Sequence, residues 1–377
     1  MKLTLKHAFA IIILSFAAPA AAGPLEDATA ANERGDYATA LRLLRPLADQ
    51  GNDRAQFNLG VMYDKGRGVP QNDAEALKWF RKAAEQGYAI AQYNLALIYG
   101  KGQGVAQNYP EAAKWFRKAA EQGDPDAQYN LGVMYVEGQG VPQNDAEAVE
   151  WFRRAAEQDY AVAQYNLGVM YDNGRGMAQN EAEALKWYRK AAEQGYALAQ
   201  NNLGLMYDNG KALPQDYAEA VKWYRKAAEK GLAPAQLNLA RMYDNGQGVP
   251  QDYAEAVQWV RKAAEQGYAL AQNHLGVRYE HGKGLPQDYA KAVRWFRGAA
   301  EQGNADAQNN LGTMVARGQG VPQDLVSAYM WFNLAAMAGN QQAANNRDVA
   351  AQHMTQAQIA EAQKLAREWT ANKPRSQ

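Results

Sequence analysis

Apolar residues fall into two helical stripes in every 36 residues of this chain, and the pair of stripes recurs without a break. The copy beginning at Ala127 reads AQYNLGVMYVEGQGVPQNDAEAVEWFRRAAEQDYAV. Ala127, Leu131, Met134 and Tyr135 stand at i, i+4, i+7 and i+8, one face of an α-helix. Asp124-Pro125 ahead of them supplies a capping side chain and a first-turn proline, and Asn52 and Asn304 hold the capping place in other copies. Gly138-x-Gly140-Val141-Pro142 ends the helix, because a glycine past the end adopts the left-handed conformation and proline cannot continue. The second stripe, Ala148, Trp151, Phe152, Ala155 and Ala156, follows Asp145. Charges occupy its opposite side. In the copy from Ala199 they are Glu219, Lys222, Arg225, Lys226 and Glu229, a solvated face whose i, i+3 and i, i+4 pairs add only a few tenths of a kcal/mol each.

The phrase Ala-Gln-x-Asn-Leu-Gly-x-Met-Tyr recurs in near-perfect form from Ala55, Ala91, Ala127, Ala163, Ala199, Ala235, Ala271 and Ala307, so eight units run to about Gln342. A fixed period of this size predicts an all-α solenoid of antiparallel helix pairs, each unit covering its neighbour's apolar face. Glycine inside the first helix, as at Gly60, Gly132, Gly168 and Gly204, costs up to about 1 kcal/mol against alanine, and its recurrence predicts a close approach of the two helices. Alanine opposed to Trp and Tyr is how closely spaced helices interlock. The Gly-x-Gly pair is not a nucleotide loop: it follows a helix, has no preceding strand and lacks a third glycine.

A-x-x-x-L-G-x-M-Y, then G-x-G-V-P-Q-D, then A-x-x-W-Y/F-R-K-A-A-E-Q-G resembles the Sel1-like repeat family, a cousin of the tetratricopeptide repeat. The resemblance implies a right-handed superhelix and a scaffold for protein–protein contact, often in bacterial envelope processes or in secreted factors. One branch of the family carries a disulfide-bridged cysteine pair in each repeat and is linked to β-lactam binding or hydrolysis. This chain has no cysteine at all.

The ends depart from the pattern. Residues 23–54 read as a shortened capping unit, with Asp36 to Gly51 aligned on a second helix and Pro46 inside it. In the eighth unit, residues 24, 28 and 31 of the repeat become Met330, Leu334 and Met337, an apolar stripe where charges normally stand. Such a stripe needs a cover. Residues 343–377 supply a candidate, since Thr355-x-x-Gln358 is a capping box and Ile359, Ala362, Ala366 and Trp369 form a stripe behind it. The expected arrangement is a short helix over residues 340–352 followed by this capping helix. The alternative use of the stripe is a dimerisation patch.

Residues 1–22 read as an export signal to be removed: basic Lys2 and Lys6, an apolar run from Ala8 to Ala18, and Ala20-Ala21-Ala22 before the cut. The run is too short to span roughly 30 Å of hydrocarbon, and no later stretch is long and apolar enough. The expected location is therefore the periplasm or the exterior, without membrane insertion. An exported chain free of cysteine must draw its stability from packing. Taking Lys2 and Lys6 from 40 basic residues leaves 38 against 40 acidic ones, a formal charge of −2. A nucleic-acid partner calls for a basic bias that is not there.

Candidate chemistry is sparse. After the signal the serines are Ser327 and Ser376 and the histidines His274, His281 and His353. Ser327 is not followed by Lys at +3, and His274 and His281 are seven apart beside Glu280, where a metal site favours i, i+4. Neither catalysis, a metal nor a cofactor is expected. The third residue of the repeat varies instead: Phe57, Tyr93, Tyr129 and Tyr165, then Asn201, Leu237, Asn273 and Asn309. It lies opposite the packed stripe, as does the seventh residue: Val61, Leu97, Val133, Val169, Leu205, Arg241, Val277 and Thr313. First helices line the concave face of helix-pair solenoids, so Phe57, Tyr93, Tyr129, Tyr165, Asn201, Asn273 and Asn309 are the expected partner-binding residues. The alternative is that they pack against the next unit's first helix. The expected function is a monomeric scaffold holding an extended peptide or protein. An envelope protein that binds or hydrolyses β-lactam or peptidoglycan ligands is the other reading, and a plain structural spacer is a third.

Overall fold

A computed structural model describes residues 23–372, which are α-helical with no strand among the described residues. The expected export signal over residues 1–22, and Ser376, lie outside the described residues. Two compact units divide the chain between Gln194 and Gly195. The first contains α1 (Pro24–Glu33), α2 (Tyr37–Asp49), α3 (Asp53–Lys65), α4 (Asp73–Glu85), α5 (Ala89–Lys101), α6 (Tyr109–Glu121), α7 (Pro125–Glu137), α8 (Asp145–Glu157), α9 (Ala161–Asn173) and α10 (Glu181–Glu193). The second contains α11 (Ala197–Asn209), α12 (Tyr217–Glu229), α13 (Ala233–Asn245), α14 (Tyr253–Glu265), α15 (Ala269–His281), α16 (Tyr289–Glu301), α17 (Ala305–Arg317), α18 (Leu325–Met337), α19 (Gln341–Ala351) and α20 (Gln356–Asn372). In each unit a helix packs against the next in sequence, so odd-numbered first helices alternate with even-numbered second helices in a solenoid of pairs.

The repeat phrase explains the pairing. The glycine inside each first helix lies against the aromatic ring at residue 26 of its own repeat. A Cβ on Gly132 would stand 2.7 Å from Phe152, and one on Gly276 would stand 2.6 Å from Phe296. Such distances exclude a methyl group unless the ring moves. The unit from Ala235 shows the converse: Ala240 replaces the glycine, and the smaller Val260 replaces the ring. Helix ends follow the sequence as well. Gly138 caps α7 at φ 67°, donating its N–H to the Met134 carbonyl. Two residues on, Gly140 leaves no room for a Cβ, which would meet the Tyr109 carbonyl at 2.3 Å. Ala212 holds the equivalent place at φ 63°, a conformation that costs a non-glycine residue about 1 kcal/mol or more.

Successive repeats are joined by a glutamine ladder. The buried Gln128 donates from Nε2 to the Ala120 carbonyl at the end of α6 (3.0 Å) and accepts at Oε1 from Gln158 (2.8 Å). Gln56, Gln92 and Gln236 make the same pair of bonds, which satisfies both a buried amide and an end-of-helix carbonyl. On the outer face, the lysine or arginine at residue 28 lies over the tryptophan at residue 25. Lys118 is 4.3 Å from the Trp115 ring centroid and Lys262 is 4.0 Å from that of Trp259. The charged face therefore also roofs the tryptophans with its aliphatic stems.

At the C-terminal end, α20 lies against α18. Thr355 and Gln358 exchange hydrogen bonds as a capping box, Trp369 meets Trp331 edge-on at 6.0 Å, and Ala362 and Ala366 are buried. Leu334 is buried and Met330 half-buried, but Met337 stays 69% exposed. The cover thus stops short of the last residue of the apolar stripe.

Candidate interaction surface

Where the third residue of the repeat is aromatic, it lies against a ring of its own second helix. The ring centroid of Phe57 is 5.5 Å from that of Phe80, Tyr93 is 5.7 Å from Phe116, Tyr129 is 5.7 Å from Phe152 and Tyr165 is 5.9 Å from Tyr188. A second ring closes some of these rungs, as Tyr88 does beside Phe57 and Tyr160 beside Tyr129. Tyr160 donates its hydroxyl to Asp126 at 2.7 Å. Burial and the nearby Asp126 and Asp124 carboxylates push the Tyr93 hydroxyl far above its ordinary value, so it stays neutral.

Phe57, Tyr93 and Tyr129 are half-buried and present part of a ring to solvent. Val61 and Leu97, one turn further along α3 and α5, are half-buried as well. Tyr165 is only 4% exposed, Asn201 7% and Asn273 6%, so these three belong to the walls between helices and not to an open groove. The asparagines have a definite task there. Asn238 donates to Asn201 (2.9 Å), Asn310 to Asn273 (3.0 Å) and Asn346 to the half-buried Asn309 (2.8 Å), each bond joining one first helix to the next. Where the third residue is aromatic, the neighbouring asparagine turns back to its own helix: Asn94 to the Ile90 carbonyl and Asn130 to the Asp126 carbonyl. For the amide half, the alternative of packing against the next first helix describes the structure. The sequence signal is an asparagine at residue 3 of a repeat with another 37 residues on, as in Asn201 and Asn238, Asn273 and Asn310, and Asn309 and Asn346.

Two arginines of the first helices are paired with aspartates of the preceding repeat. Arg241 contacts Asp208, which also accepts the Tyr224 hydroxyl at 2.9 Å. Arg278 stands where other repeats have methionine and contacts Asp244. Ser327 donates its hydroxyl to Asp324 at 2.5 Å, completing the N-terminal cap of α18. No grouping of three or more His, Asp or Glu able to hold a metal ion occurs among the described residues, and no described helix is long and apolar enough to cross a membrane. A cavity that His353 helps to line lies beside α17, α18 and α19.

The Sel1 repeat family model matches nine stretches of the chain: residues 33–52, 53–88, 89–124, 125–160, 161–196, 197–232, 233–268, 269–304 and 305–340. A Sel1 repeat protein from Oxalobacter formigenes is similar over 89% of this chain and 96% of its own, with 35% identity and a TM-score of 0.67. The structure of c5321, a protective antigen present in uropathogenic Escherichia coli strains and displaying an SLR fold, covers 94% of this chain and 95% of its own, at 32% identity and a TM-score of 0.52. No curated protein matches the sequence.

Proposed function

The chain belongs to the Sel1 repeat family, whose solenoid is typical of protein–protein interaction and generally non-catalytic, and on that premise we propose that it is an exported scaffold holding an extended polypeptide along its first helices. The observation that carries this reading is the row of half-exposed apolar side chains in the first unit: Phe57 with Val61, Tyr93 with Leu97, and Tyr129. Each ring is already immobilised against a second-helix ring, so a partner that covers it orders little further side-chain motion. A repeat spacing suits an extended partner better than a compact one, because equivalent contacts recur along a line. Export rests on residues 1–22, with their basic start, apolar run and small residues at the cut.

The test is capture from the native envelope with the exported chain as bait, wild type against a variant carrying Val61→Asp, Leu97→Asp and Val169→Asp. These side chains are half-exposed, so the charges need not unfold the helices. A polypeptide retained by wild type and lost by an equally helical variant supports the reading. Equal retention by both removes the binding site from this face.

A further inference from the structure

In three interior repeats, the residue after the helix-ending glycine reaches back over the preceding repeat, onto residue 10 or 19 of that unit. Gln103 donates to Asp64 at 3.1 Å, Arg175 pairs with Asp145 at 2.7 Å, and Lys283 lies 4.7 Å from the Tyr253 ring centroid. The next glycine seats the loop against the backbone of residue 19, as Gly248 does on Tyr217 and Gly320 on Tyr289. Beneath it, residue 8 of the repeat is a buried methionine in six of the eight copies, among them Met134, Met242 and Met314.

On α19 this arrangement ends. Ala350 stands where the methionine would be, and the chain turns through residues 352–355 into α20, which goes to α18 instead of forming the loop. The seat left behind is a cavity of about 540 Å³, within the size range of ligand pockets. Its lining includes the very residues that take the loop elsewhere, but in apolar form: Ala316 at residue 10 and Leu325 at residue 19, with Phe332 and Val349 beside them. The earlier repeats have pairs such as Asp64 with Asp73 or Asp244 with Tyr253. Arg317 and His353 are the ionisable residues of the lining, and no carboxylate joins them. The Arg317 guanidinium makes no ion pair or hydrogen bond among the described residues.

We propose that this seat binds the apolar C-terminus of a partner polypeptide, its last side chain on Leu325 and Phe332 and its carboxylate on Arg317 with His353 beside it. The floor selects an apolar residue. The unpaired guanidinium selects an anion, and a terminal carboxylate is the anion that a peptide carries next to its last side chain. Residues 373–377, Lys-Pro-Arg-Ser-Gln, have the wrong charge and polarity for it. The seat is in the second unit and owes nothing to the first-helix row of the first unit, so either site can fail alone.

Fluorescence anisotropy with fluorescein-labelled Gly-Ser-Gly-Val-Leu tests it, using the free acid, the C-terminal amide, and decanoate as competitor. The free acid should bind, and the amide should bind at least ~10-fold more weakly, as should the acid to Arg317→Gln. Ala350→Met restores the side chain that fills this space elsewhere. It should abolish binding while leaving the thermal midpoint unchanged or raised, which separates filling from unfolding. Equal binding of acid and amide, undiminished binding to Ala350→Met, or binding of decanoate without the peptide would each overturn the proposal, as would no binding at millimolar peptide.

Discussion

Replacing Gly132 by alanine pits helix propensity against packing, and the structure decides which wins. Alanine gains about 1 kcal/mol inside a helix. Its Cβ would stand 2.7 Å from the Phe152 ring, itself fully buried, and overpacking of a filled core costs about 1–3 kcal/mol. The repeat from Ala91 carries Ala96 with Phe116, so a small shift can accommodate the pair and the lower half of that range applies. The expected net effect of Gly132→Ala is therefore a loss of up to about 1 kcal/mol. Phe152→Val removes the ring, reproducing the natural Ala240 and Val260 pair. In that background the methyl group meets space, and alanine should stabilise by about 1 kcal/mol, a coupling of about 1–2 kcal/mol between the two positions. Hydrogen exchange on peptides spanning α7 and α8 reads the local opening free energy for all four members of the cycle. If Gly132→Ala stabilises on its own, or the two changes add within about 0.5 kcal/mol, close helix approach is not the reason for the glycine.

Other expectations follow from breaks in the repeat. Ala212→Gly, at φ 63°, should raise stability by about 1 kcal/mol in a denaturant titration, and no change would mean the left-handed conformation carries no strain. Gln308 Oε1 is buried without a donor because Ala338 stands where the ladder has glutamine, so Ala338→Gln should add about 1 kcal/mol. The second helices α4, α6, α8 and α10 are capped by Asn72, Asn108, Asn144 and Asn180, whereas α12, α14, α16 and α18 are capped by Asp216, Asp252, Asp288 and Asp324. The Asp288 carboxyl is held below its ordinary value by the Lys291 backbone N–H; for Asp324, burial pushes the other way but bonds from Ser327 and Val326 prevail. A folded-state value below the unfolded one gives stability present above the unfolded pKa of about 4 and lost as pH falls through the folded pKa. On acidification, exchange should therefore quicken at α16 and α18 before α4 to α10, and Asp288→Asn with Asp324→Asn should remove the difference.

The solenoid was legible because each repeat states its rules eight times over. Helix ends, the close approach at Gly132 and the cap at Thr355 are local properties of short phrases, and a period of 36 fixes how the phrases stack. Side-chain destinations at the third residue were not legible in the same way. Spacing places Asn201, Tyr129 and Tyr165 on the same side of their helices, yet Asn201 is enclosed and bonded by Asn238, Tyr165 is buried, and Tyr129 keeps an exposed part. Burial there depends on the neighbouring repeat, which the periodicity of one helix does not encode. The cavity by Leu325 was hidden for a related reason. It arises from what α19 omits, the methionine and the loop, and its sequence trace is a single alanine at Ala350.

Photocrosslinking tests the central claim of a first-helix binding face most directly. A photoreactive amino acid would be placed singly at Val61 or Leu97 on first helices, and at Lys82 or Lys118 on the outer face of second helices, with the chain expressed in its native envelope. The account predicts partner adducts from residues 61 and 97 and none from 82 and 118. Adducts confined to 82 and 118 would contradict it and move the interaction to the tryptophan-and-lysine face.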